Sequence, residues 1–247
     1  MNAPNRNLYD GRRRSQDGPV TTRTRLNRQP LGSQIAEALR QDILLGRIRG
    51  GSPVSQQQLC DEYGVSRMPV RDALLKLTHE GLIVSGPGGQ SIVAQLTAND
   101  ILDAFDIEAM VHGRAARRAT THATPQDLDE LTRLHEEMLA AEEEGDLELV
   151  GDLNRRFHRQ INLLARSPKL LAFLRHASVG IPRAYIREMP EWATRGNRAR
   201  VEILAAMRER DADRVEDLIR GLVVASGADL VAYLIEAGAL EAEPEHA

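Results

Sequence analysis

The chain has 247 residues, enough for two domains of ordinary size, with 32 Lys and Arg against 36 Asp and Glu. Aromatic residues make up only 3% and there is one cysteine, which favours helix over sheet and excludes an internal disulfide framework. No N-terminal apolar stretch reads as a signal peptide and no run approaches the ~18 residues of a spanning helix, so a soluble cytoplasmic protein without membrane contact is expected.

Charge is unevenly divided along the chain. Residues 1–96 hold 13 Lys/Arg against 8 Asp/Glu, while the remainder holds 19 against 28. A basic front and an acidic back point to phosphate contact by the front alone. Residues 1–28 lack an apolar pattern and read as a disordered basic arm (Arg12, Arg13, Arg14, Arg23, Arg25, Arg28). That arm could follow a nucleic-acid backbone or remain solvated with no dedicated role.

An ordered domain is expected over 29–96. A first helix, Ser33–Leu45, carries Ile35, Leu39, Ile43 and Leu44 on one face, and Gly46 ends it. A second, Ser55–Tyr63, is capped by Ser55 and turns Leu59, Cys60 and Tyr63 to one side; Cys60 reads as a packed small hydrophobe. After the tight Gly64-Val65 turn a third helix starts at Ser66, whose hydroxyl should cap it. Pro69 is tolerated in the first turn, where amides lack partners anyway. Val70, Ala73, Leu74 and Leu77 form its core face, and Arg67 and Arg71 share a neighbouring stripe with Met68 beyond. Gly81 stops it. The runs Leu82–Val84 and Ser91–Ala94 around the Gly/Pro turn Ser85–Gln90 read as a hairpin. Two short helices joined by a Gly-containing turn describe a helix-turn-helix, and the hairpin makes it winged. The competing reading is a small helical core with an incidental arginine pair.

From Thr97 the pattern is purely helical. Helices are expected from Thr97 to His122, from Thr124 to Glu144, over Asp146–Arg166, from Pro168 to about Glu188 with a break near Gly180-Ile181-Pro182, near Glu191–Arg210, and over Asp211–Glu236. Short connections imply antiparallel neighbours. The fold class is therefore mainly α: a winged helix-turn-helix of three helices and a two-stranded wing, then an all-α antiparallel bundle of six to seven helices over 97–237, with a flexible tail at 238–247.

The run Gly64 to Leu74, GVSRMPVRDAL, with Leu77 and Gly81-Leu82, resembles the signature of the GntR family of bacterial transcription regulators, with Met68 where Thr is usual. The resemblance implies DNA contacts at Ser66, Arg67, Met68, Pro69, Arg71 and the wing tip Gly88. It also implies one at Gln57, where Arg is common. The second block resembles the effector-binding FCD domain of the FadR-like branch. The carrying residues are Asn154 to His158, Ser167 to Leu171 and Arg208 to Ala212, and they imply a central effector pocket and a homodimer.

Many members of that branch hold a divalent cation with an Asp or Asn and a His four residues on, plus two further His. Asn154 and His158 match the first pair, but the other places fall at Arg200 and Leu222. A guanidinium repels a cation and Leu offers no lone pair. No metal and no other cofactor is therefore expected; the residual ligand set is His158, His112 and Glu108. The candidate effector contacts are Glu108, His112, Asn154, His158 and Arg200. Arg200 could hold an anion directly. Glu108 stands where the family often has Arg, and His112 where Glu is usual, so a carboxylate effector is not assured. Plainer readings are a helical Glu108–His112 pair and a satisfied core His158.

No Gly-rich phosphate loop, nucleophile elbow or clustered metal ligands are found, so the chain reads as no enzyme. A helical-bundle enzyme fused to a DNA-binding module is the lesser alternative. The expected function is a ligand-responsive repressor that binds double-stranded DNA as a homodimer over an inverted repeat. The other alternative is a bundle that serves only dimerisation.

Overall fold

The computed structural model describes residues 30–177, 185–186 and 189–240. The expectations for the basic arm, the break near Gly180 and the last residues of the tail lie outside the described residues. The elements are α1 (Leu31–Leu44), α2 (Gln56–Tyr63), α3 (Arg67–His79), β1 (Ile83–Ser85), β2 (Ser91–Val93), α4 (Ala98–His122), α5 (Pro125–Glu143), α6 (Leu147–Leu164), α7 (Pro168–Ala177), α8 (Pro190–Arg208) and α9 (Ala212–Glu236).

One core is made by residues from 35 to 93. The apolar face of α1 (Ile35, Ala36, Leu39, Ile43) packs against Val70, Ala73, Leu74 and Leu77 of α3. Helix α1 begins two residues earlier than Ser33, with Pro30 at its N-cap and no side-chain cap. Pro30 suits that place because an N-cap residue need not be helical. Ser55 does cap α2, accepting from the Gln58 amide, and Gly64 closes it at φ +63, a conformation that costs glycine little. Strands β1 and β2 pair antiparallel with Ile83 opposite Val93, and Pro53 bridges to Ile92 at their edge. A feature absent from the sequence reading ties α1 to the end of α3. Buried Arg40 makes a forked ion pair with Glu80, at 2.7 to 2.9 Å, and also reaches Glu37. A buried guanidinium is tolerated when its donors are matched by carboxylate oxygens.

The second core spans residues 101–234. Reciprocal capping boxes, Thr97 with Asp100 and Thr124 with Asp127, start α4 and α5, and Asp146 caps α6. Helices α4 and α9 lie along one another. Gly227 permits this: a Cβ there would stand 2.7 Å from the Phe105 ring stem. Helix α9 is long and apolar enough, by length and composition, to cross a membrane, which corrects the expectation that no such stretch exists. Its Val215, Ile219, Leu230 and Leu234 are instead buried in the bundle, and an apolar core helix meets the same criterion. At the junction of the two cores Gly46, at the end of α1, faces Ala239 beyond α9; a Cβ at Gly46 would lie 3.1 Å away. Leu45 and Leu240 also pack on the second core.

Candidate functional site

Two places gather polar residues that the fold does not need for its own packing. The first is the start of α3. Ser66, Arg67 and Arg71 are all exposed there, and Met68 has 73% of its surface open. Ser66 stands at the N-cap, but its hydroxyl makes no capping bond, contrary to expectation. Pro69, the third helical residue, has no N–H to donate, which removes one of the two usual capping donors, and the hydroxyl makes no bond to the other, Met68 N–H. The serine oxygen is thereby left for an outside partner. The first turn of a helix also favours anions, through its open amides and macrodipole.

Gln57 lies beside this turn, but not as an independent contact. Its Oε1 accepts from Arg67 Nη2 at 3.0 Å, and its Nε2 donates to Asp61 at 3.0 Å. A chain Asp61–Gln57–Arg67 therefore holds one guanidinium over the helix start, while Arg71 stands one turn on. Gly88, at φ +73, sits exposed at the tip of the wing in the turn Pro87–Gly89.

The second place is the interior of the bundle. The five candidate residues form two groups rather than one. On α4, His112 Nε2 lies 3.2 Å from Glu108, and its Nδ1 lies 3.2 Å from Asn162 of α6. Between α6 and α8, Arg200 Nη1 donates to Asn197 at 2.9 Å and Nη2 donates to Asn154. Asn197 in turn donates to Glu142 of α5. His158 lies between the groups, its ring edge-on to His112 at 5.6 Å and to Phe157 at 6.0 Å. Arg200 stacks over the Phe157 ring at 5.7 Å.

Arg200 is 1% exposed, and its Nε has no hydrogen-bond partner. Burial lowers this guanidinium to about 10, with Glu142 opposing, so it stays charged at neutral pH. Burial also holds the His158 imidazole well below its usual range, with His112 and Arg200 adding to the effect. His135 of α5 is lowered by burial and then by Arg200, and its buried Nδ1 has no partner.

The residual metal set does not assemble. Both ring nitrogens of His112 are engaged, and no group of three His, Cys, Asp or Glu among the described residues could hold one ion. The four-ligand site implied by the resemblance does not fit either. A charged guanidinium is bonded to the Asn154 oxygen, and Leu222 packs at the margin of the core. Sequence reading missed Asn162, Asn197, His135 and Glu142. The first two carried a signal: Asn154, His158 and Asn162 recur every four residues on α6, and Asn197 precedes Arg200 by three on α8.

Comparison with known proteins matches the two halves of the chain to two domain families. Residues 31–93 match the model of bacterial regulatory proteins of the gntR family, and residues 103–225 match the FCD domain. The HTH-type transcriptional repressor RspR of Escherichia coli (strain K12) is 28% identical over 204 residues, covering 80% of this chain and 88% of its own. The Glc operon transcriptional activator of the same strain is 31% identical over 153 residues, 54% of this chain and 60% of its own. Among solved structures, E. coli McbR/YncC superposes with a TM-score of 0.65 at 23% identity, over 83% of this chain and 99% of its own, which supports the fold.

Proposed function

The chain belongs to the GntR family of bacterial transcription regulators with an FCD domain, and from that premise we propose that it represses its genes as a ligand-responsive, cytoplasmic homodimer. Each subunit sets the first turn of α3 into a major groove and the wing near Gly88 against the adjoining backbone, so the pair reads an inverted repeat. The observation that carries this is the exposed start of α3, where Ser66, Arg67 and Arg71 are open and Arg67 is held in place by Gln57. Gln57 acts here as a support for Arg67 more than as a reader of bases. The bundle interior receives the effector, which shifts the spacing of the DNA-binding units by favouring one arrangement over another. The contact between Gly46 and Ala239 supplies a physical link between the two cores. No catalytic step enters this reading.

Selection of bound duplexes from a random DNA pool would yield the operator, whose half-sites should form an inverted repeat. On that operator Arg67→Ala and Arg71→Ala should each weaken binding by about 10- to 100-fold if they reach base edges. A residue that meets phosphate alone should instead lower the salt slope by about one. Gln57→Ala should cost less than Arg67→Ala, since it only releases the arginine. Unchanged affinity for both arginine variants, with the fold intact, would defeat the assignment.

A further inference from the structure

Met68 is the most exposed large apolar side chain among the described residues, with 73% of its surface open. Single apolar residues on a surface are ordinary, but this one has a fixed direction. At about 100° per residue, Met68 leaves α3 roughly half a turn away from the buried face of Val70, Ala73, Leu74 and Leu77. Arg67 and Arg71, both exposed, leave the helix between those two directions. The side chain opposite the core is the one that reaches farthest from the body of the domain. Arg67 is drawn toward α2 by its bond to Gln57 at 3.0 Å, which leaves the leading place in this turn to Met68. That side chain has no hydrogen to donate and only a weakly accepting sulfur, so it is ill suited to a phosphate. Among the groups that the four bases show in the major groove, one is apolar, the C5 methyl of thymine. Every other edge is a donor or acceptor that would lose water without compensation under a thioether. An unbranched side chain with three rotatable bonds can settle over such a methyl.

We propose that Met68 reads a thymine in each half-site by closing over its C5 methyl, so that an apolar contact helps choose the operator alongside the two arginines. This rests on the placement of α3 given above and adds the base feature that its leading residue selects. Hiding one methyl from water is worth about 3- to 5-fold in affinity. An inverted repeat presents the contact twice, so the two methyls together are worth about 10- to 25-fold. Leu75 supplies a comparison on the same stripe of α3, seven residues on and 55% exposed. At about 1.5 Å per residue it stands about 10 Å along the axis from Met68, away from the N-terminal turn that meets the bases.

The test uses full-length protein and the operator selected from a random DNA pool. Each thymine of the half-site is replaced in turn by uracil, which removes the C5 methyl and leaves every hydrogen-bonding group in place. Dissociation constants are compared at one fixed salt concentration, because phosphate contacts vary with salt. At one position, uracil in both half-sites should weaken the wild-type protein by about 10- to 25-fold. Met68→Ala should bind the thymine and uracil duplexes equally, at about the wild-type affinity for the uracil duplex. Met68→Leu keeps the apolar reach and should keep most of the preference, and Leu75→Ala should keep all of it. Met68 and Leu75 are exposed, and Ala and Leu are good helix formers, so these variants should fold. A selected half-site without a fixed thymine, or equal wild-type binding of both duplexes at every thymine, would overturn the proposal. So would a full preference in Met68→Ala, since the methyl would then act through another residue or through the duplex itself. The arginine variants separate the two readings. Weaker binding by Arg67→Ala and Arg71→Ala, with no thymine preference in the wild type, keeps α3 in the groove and rejects the role of Met68. Unchanged binding by both removes the placement of α3 and the proposal with it.

Discussion

Replacing Gly227 by alanine tests how α4 and α9 are held together. A Cβ at that place would lie 2.7 Å from both Cβ and Cγ of Phe105, whereas carbon atoms rest at about 3.5–4.0 Å. The blocking atoms are the stem of a ring that is 3% exposed, so no flexible end can swing aside. The helices must part by most of an ångström, or the ring must leave its rotamer, and overpacking of this kind costs about 1–3 kcal/mol. Alanine returns about 1 kcal/mol of helix propensity, so the net loss is about 1 kcal/mol. Gly221, six residues earlier on the same helix, is the internal control. It is exposed and a Cβ there meets nothing within 4 Å. Gly221→Ala should therefore stabilise by about 0.5–1 kcal/mol. For a chain of this size the two variants should differ in melting temperature by about 3–8 °C. The single tryptophan, buried Trp192, lies in this bundle, so its fluorescence in a urea titration reports on it alone. Gly227→Ala as stable as Gly221→Ala would refute the close packing of these helices.

Removing Glu80 strands the Arg40 charge inside the first core, because only the half-exposed Glu37 remains to meet it. Glu80→Ala should cost about 3 kcal/mol, seen as faster amide exchange over α1 and α3 with the bundle amides unchanged. The bundle should weaken in acid. His135 is held neutral below its usual value of 6.5, so the unfolded chain takes up its proton first as pH falls. The stability contributed by this neutral ring is complete above about pH 6.5 and is lost as pH drops from there through the folded-state value. His135→Gln should lessen the pH dependence of Trp192-detected unfolding between pH 7 and 5, with the more deeply buried His158 supplying the rest, and an unchanged profile would refute the cause assigned here.

Much of this molecule was legible before any coordinates. Helices α4 and α5 follow from apolar spacing and from the pairs Thr97–Asp100 and Thr124–Asp127, all within one helical turn. The basic stripe of Arg67 and Arg71 is equally local. Part of the silent Ser66 cap was legible too, since Pro69 three residues on has no amide hydrogen and only Met68 could donate. The capacity of α9 to pass for a spanning helix shows the limit, because the same apolar face suits lipid or a neighbouring helix.

What the chain determined by itself is therefore what neighbouring residues decide: periodicity, caps, turns and the sign of charge along the chain. What only the folded molecule decided are pairs far apart in sequence. Arg40 meets Glu80, Gln57 meets Arg67, His112 meets Asn162 and Arg200 meets Asn154. An amphipathic pattern states that a face is buried and not against what, so a polar residue on such a face names neither its partner nor its purpose. The fold brought the exposed Gln57 against an arginine, divided the effector candidates into two groups, and left the Nε of a buried guanidinium without a partner.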